Sequence, residues 1–227
     1  MENFSVLHQG DPVIVSVNID DQLVLQNLPF RSCGEQLCAI LSKYEPAMVQ
    51  QEDKDCPRTV CIAFANKILL NWSSDGLQMK GRRVMMETIK FIESLSYRMV
   101  VNFKVEAHRA ECVFFERKSE QLTRPQTDLL MTSFLDYGKI AIIGDPMKSD
   151  PVSAISSLID QVVRCSWPLG VAPLNTSAAD FDLVELLDAP WICHFDVPEG
   201  ALSRLVVGRI FEQMLIRGWM VRERGVS

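Results

Sequence analysis

The chain predicts an α+β fold of two lobes, each built from repeated strand-helix-strand-strand units with helices packed on mostly antiparallel sheet. Three observations carry this. Segments with a two-residue apolar alternation are interleaved with segments of three-to-four-residue spacing. Four helix-patterned segments each end in a small or polar residue followed by a ring and a strand-like run. The junctions are Lys43-Tyr44, Ser96-Tyr97, Ser166-Trp167 and Gly218-Trp219, and such recurrence marks an internal repeat. Finally, the polar stretch 118–128, holding Arg124-Pro125-Gln126-Thr127, reads as a linker and divides the chain into lobes 1–118 and 119–227.

Taken in order, Val13-Ile14-Val15 and Leu23-Val24-Leu25 flank a turn at residues 19–22 and read as a hairpin. Residues 33–44 have Leu37, Ile40 and Leu41 at helical spacing. Ala47-Met48-Val49 is a short strand, and the polar run 50–57 is a surface loop. A second hairpin is expected from Val60–Phe64 and Ile68–Leu70 across Asn66-Lys67, and residues 73–76 form a loop. Over 82–95, Val84, Met85, Thr88, Ile89, Ile92 and Leu95 make the core stripe of an amphipathic helix. Residues 98–106 alternate, with Met99, Val101, Phe103 and Val105 on one face, and pair with 111–117.

In the second lobe, 129–134 reads as a short helix ending near Gly138, and Ile140–Ile143 as a buried strand. Asp150 before Pro151 signals a helix start, with Val152, Ile155, Leu158, Ile159 and Val162 inward. A strand over 181–187 follows, and 191–195 opens a fourth unit. A last helix carries Leu202, Leu205, Val206, Ile210, Phe211, Met214 and Leu215, with Gly218 as its C-terminal cap. That fourth unit, 191–227, stops after Trp219-Met220-Val221 without a closing strand. Either that edge stays open, or another segment fills it, or the natural protein continues past Ser227; an open edge is a ready place for strand addition by a partner, with Trp219, Met220, Val221, Arg222 and Arg224 as the expected contacts.

Composition narrows the classes. At 227 residues, 48% hydrophobic and 23% charged, the chain is an ordinary globular one, and no apolar run nears the ~18 residues of a membrane span. No basic-then-apolar leader follows Met1. Seven cysteines, at 33, 38, 56, 61, 112, 165 and 193, lie within apolar patterns, as reduced thiols of a cytoplasmic or nuclear protein do. The net charge of −6 is blocky: −5 over 1–79, +4 over 80–118, −8 over 119–200 and +3 over 201–227. Overall acidity disfavours general nucleic-acid binding, while opposed blocks suit self-association into a homo-oligomer.

No cofactor or metal is expected. Cys33/Cys38 and Cys56/Cys61 lack zinc-knuckle spacing, and Cys193 and His194 point to opposite faces of a strand, so with Asp196 they make no nucleophile and base. His8 and His108 lie near the chain start and in a turn. Lys80-Gly81-Arg82-Arg83 opens a helix as a solvated charged face without a phosphate-loop pattern. The four recurring rings pin helix ends onto sheet. The leading expectation is a non-enzymatic adaptor or assembly subunit that binds another protein. Two alternatives stand beside it. One is an RNA-binding module on basic segments 80–118 and 201–227, with Phe103, Phe114 and Phe115 near Arg98, Lys104, Arg117 and Lys118. The other is an enzyme with its site at Asp145 and Asp196, acidic residues that follow strands.

Overall fold

The fold is α+β. A computed structural model describes residues 11–18, 20–30, 32–52, 58–69, 75–105, 110–117, 130–135, 138–144, 149–172, 177–178, 181–187 and 198–219. Its chain forms two compact bodies: Met1–Pro125 with Arg222–Ser227, and Gln126–Val221.

The first body runs β1 (Val13–Val17), β2 (Gln22–Gln26), α1 (Ser32–Leu41), β3 (Met48–Glu52), β4 (Thr59–Phe64), α2 (Asp75–Ser94), β5 (Tyr97–Val105) and β6 (Ala110–Arg117). Its six strands form one antiparallel sheet in the order β3-β4-β2-β1-β6-β5. The second body runs β7 (Met131–Leu135), β8 (Lys139–Ile143), α3 (Ser149–Ser166), β9 (Ser177–Ala178), β10 (Phe181–Glu185) and α4 (Pro198–Ile216). Its sheet is β7-β8-β10-β9, again antiparallel.

The repeat is visible in this topology. Each successive pair of strands is an antiparallel pair, and among the described residues a helix follows β1-β2, β3-β4, β7-β8 and β9-β10. The expected strand-helix-strand-strand unit is this same alternation read one strand out of phase. Removing the β1-β2 hairpin from the six-stranded sheet leaves β3-β4-β6-β5, which matches β7-β8-β10-β9 strand for strand.

Period-two patterning builds the first core. Val13, Val15, Val17, Leu23, Leu25, Val60, Ile62, Phe64, Val113 and Phe115 are buried on one sheet face. Helix α1 covers that face with Cys33, Gly34, Leu37 and Leu41, spaced for one stripe. A Cβ on Gly34 would touch Val60, and the Cys38 thiol lies 3.4 Å from the Gln50 Oε1 that accepts from it. Helix α2 contributes Val84, Met85, Met86, Ile89 and Ile92. Burial pushes the Cys33 and Cys38 thiols above the usual thiol range, and burial likewise raises the Tyr97 hydroxyl. Each of these groups holds its proton to higher pH in the fold than in the unfolded chain. The stability they contribute is therefore complete below about pH 9 and is lost as pH rises through the raised values. We expect the urea midpoint to fall as the pH rises above about 9, and a Cys33→Ala, Cys38→Ala, Tyr97→Phe variant to show a shallower fall.

The second core gathers Ile140, Ile142, Ile155, Leu158, Ile159, Val163, Trp167, Val184, Leu186, Val206, Ile210 and Met214 around α3 and α4. Ala141 and Ile143, which alternate with the strand members of that cluster, are also buried, so β8 is covered on both faces, as its unbroken apolar run requires.

Five local expectations differ from the structure. Residues 131–135 form strand β7 rather than a helix: pairing of Met131 with Ile143 and Phe134 with Ile140 outweighs an apolar spacing that suits either element. Strand β4 pairs with β3 and β2, not with 68–70, and Gln50, Gln51 and Glu52 belong to β3 rather than to a loop. Ile68 instead is buried beneath α2, and the Leu69 N–H donates to the Asp21 carboxylate at 3.1 Å. Helix α2 starts at Asp75, so Lys80-Gly81-Arg82-Arg83 sits inside it, with Arg83 buried. In β5 a bulge between Met99 and Val101 sets Met99 opposite Phe115 and Val101 opposite Phe114, which breaks the strict alternation.

The ring junctions work as helix stops. At the end of α4, Gly218 has φ +83°, its N–H donates to the Leu215 carbonyl at 2.9 Å, and the Trp219 N–H donates to the Met214 carbonyl at 3.0 Å. This is a Schellman closure, with Trp219 packed on the core that contains Met214. Ser96 has φ +67° at the end of α2, and Tyr97 is buried. Trp167 is buried, and its Nε1–H donates to the Leu187 carbonyl at 2.9 Å. Gly218→Ala forces a Cβ into the left-handed region with nothing within 4 Å to clash, so the expected cost is backbone strain of about 1–2 kcal/mol, read as a lower thermal midpoint.

Candidate interaction surface

Strands buried on one face leave the alternate residues for the other. In the six-stranded sheet those are Ile14, Ser16, Gln22, Val24, Gln26, Cys61, Ala63, Phe114 and Glu116, all half-buried, with Val49 and Gln51 exposed on β3. Register sets them in rows across the sheet. One row runs Gln51, Cys61, Val24 and Ser16. The next runs Gln26, Ile14 and Phe114. On the other side of the first row, Val49 stands beside Ala63, and Ala63 beside Gln22.

What marks this face is its charge. Solvent-facing strand positions commonly carry Lys, Glu, Asp or Arg, yet β1, β2 and β4 contain none of them. Among the described residues of the face, charge enters at one corner, where Arg98 of β5 is ion-paired with Glu116 of β6. Apolar and neutral polar side chains at the centre and ions at the margin are the composition of a protein interface. At one end of the same sheet, Arg58 donates to Asp11 at 2.8 Å and to the Asn27 carbonyl at 3.2 Å, while the Asn27 amide donates to the Pro12 carbonyl at 3.0 Å. These bonds tie the strand ends together and hold the face in shape.

The residues singled out from sequence fall in several places. Trp219 is half-buried against the second core, and Met220, Val221, Arg222 and Arg224 lie outside the described residues. Asp145 and Asp196 lie outside them too, as do His8, Cys56, His108, Cys193 and His194. Cys61 belongs to the neutral sheet face, and Cys33 is on the buried side of α1. Among the described residues, no group of three or more His, Cys, Asp or Glu side chains could hold a metal ion, and no helix is long and apolar enough to cross a membrane.

The basic segments are partly occupied within the fold. Arg83 is buried, Arg98 is ion-paired, and Phe114 is half-buried beside Ile14 with Phe115 fully inside. The neutral face was missed at the sequence level because no motif marks it. The available signal was the absence of charge from three alternating strands.

Compared with protein-family models, with curated proteins and with solved structures, the chain matches none.

Proposed function

We propose that the protein is a non-enzymatic adaptor or assembly subunit that docks another protein on the outer face of its six-stranded sheet. One observation carries the reading: an uncharged face spanning β3 to β6, with Ile14 beside Phe114 and Val24 beside Cys61, and a rim pair at Arg98 and Glu116. Burying such a face removes apolar area from water at roughly 25 cal/mol per Å² and leaves no ion to desolvate at its centre. A partner with a matching apolar sheet or helix face satisfies it. Strand addition at the C-terminal unit is a second route to the same function, through Trp219 to Arg224.

The test uses Val24→Lys and Phe114→Lys, made separately. Lysine stems lie along the sheet and place a charge where the partner must seat. In-cell crosslinking followed by mass spectrometry should show the same partners lost from both variants and retained by Gln36→Lys on the exposed side of α1. The thermal midpoint should move by no more than about 1 kcal/mol equivalent. Recovery of an unchanged partner set, in unchanged amounts, by both sheet variants would sink the proposal.

A further inference from the structure

In the second body, a groove of about 460 Å³ runs between α3 and α4. Leu158 and Val162 supply apolar lining from α3, and Arg209 and Arg217 supply cations from the α4 side. Among the described residues, the bonds these two guanidiniums make go to neutral oxygens. Arg209 donates to Ser166 Oγ at 3.1 Å, and Arg217 donates to Gln213 Oε1 at 2.8 Å and to the Gln213 carbonyl at 3.2 Å. Arg164, also on α3, is by contrast bonded to Asp160 at 2.7 Å. A guanidinium has five N–H donors in a fork that fits a carboxylate, so Arg209 and Arg217 keep donors in hand. Glu212 lines the groove as well, which leaves two cations against one carboxylate.

The apolar pattern of α4 points the same way. A surface helix ordinarily confines its apolar residues to one stripe. Helix α4 buries Val206, Ile210 and Met214, yet it also exposes Leu205 (46%) and Ile216 (68%). Leu205, Arg209, Glu212 and Ile216 follow one another at spacings of four, three and four residues and so share a second stripe. That stripe carries one Arg and one Glu, and Arg217 in the groove wall beside it supplies the surplus cation; apolar side chains flanked by a net positive charge are complementary to a helix that presents leucine-like residues between carboxylates. We propose that the α3–α4 groove docks an acidic amphipathic helix from a partner protein, with its apolar side chains against Leu158, Val162, Leu205 and Ile216 and its carboxylates on Arg209 and Arg217. This site belongs to the second body and stands independently of the sheet-face reading.

The full chain is the bait for a displayed library of helix-forming peptides of about 18 residues. The enriched peptides should be acidic, with apolar residues at i, i+3 or i+4, and i+7. They should bind the native protein at least about tenfold more tightly than R209E/R217E. Their Glu→Lys counterparts should regain binding to that variant. A bound peptide should also slow alkylation of the exposed Cys165 in the groove wall, followed by peptide mass mapping. Should the reversal variant fail to fold, R209Q/R217Q removes the cations without adding acids, and the same loss is expected. The proposal is overturned by any of three results: enriched peptides that are neutral or basic, equal binding to native protein and either variant, or equal retention of scrambled acidic peptides of the same composition.

Discussion

Gly81→Ala should destabilise the first body by about 2 kcal/mol or more, although the same change in an open helix interior stabilises by up to about 1 kcal/mol. The reason is the floor beneath α2. A Cβ on Gly81 would overlap the Ile68 carbonyl oxygen, and it would stand 3.0 Å from the carbonyl carbon and 3.2 Å from the Leu69 Cα. All three are backbone atoms, so no side chain can swing away. The segment cannot retreat freely either, because Ile68 is buried and the Leu69 N–H is bonded to Asp21, itself buried at φ +63°. The substitution must lift α2 from the sheet or break that bond. Gly208 is the matched control. It lies in the interior of α4, with nothing within 4 Å of an added Cβ, so Gly208→Ala should raise stability by as much as about 1 kcal/mol. Calorimetric midpoints moving in opposite directions for the two variants is the expected result. A rise for both would show that α2 is not seated on residues 68–69.

Trp167→Ala should be the most damaging change in the second body, at about 3–5 kcal/mol. The ring is 2% exposed among Val163, Leu186 and their neighbours, and its Nε1–H satisfies the Leu187 carbonyl. Truncation leaves a cavity where α3 meets β10 and removes that donor. Trp167→Phe separates the two effects: it keeps most of the apolar volume and loses the hydrogen bond, and should cost about 0.5–1.5 kcal/mol for that bond plus a smaller packing term. If the Phe variant were as unstable as the Ala variant, the bond rather than the packing would hold the junction. Equilibrium urea unfolding of the three proteins decides this.

The neutral sheet face and the α3–α4 groove were unequally legible in the sequence. Uncharged alternation in β1, β2 and β4 can be read directly from residues 13–17, 22–26 and 59–64. That these three segments are neighbours in the order β4-β2-β1 cannot, since strand order depends on contacts between residues far apart in the chain. The groove was hidden for a related reason. Leu205 reads as one more core residue of an amphipathic helix until the position of α3 shows which side of α4 is covered.

Local chemistry was sufficient wherever one element decides its own form. The alternation in β1, β2 and β6, the stripe of α2, the apolar run of β8 and the Gly218 stop were all set by residues within a few positions of one another, because side-chain period and left-handed backbone cost are local quantities. Tertiary structure alone decided that 131–135 is a strand, that β4 pairs with β3 rather than with 68–70, and that the glycine at 81 is a contact point and not a helix defect. In each of those cases the local free-energy difference between alternatives is about 1 kcal/mol or less, and the pairing or packing partner lies elsewhere in the chain.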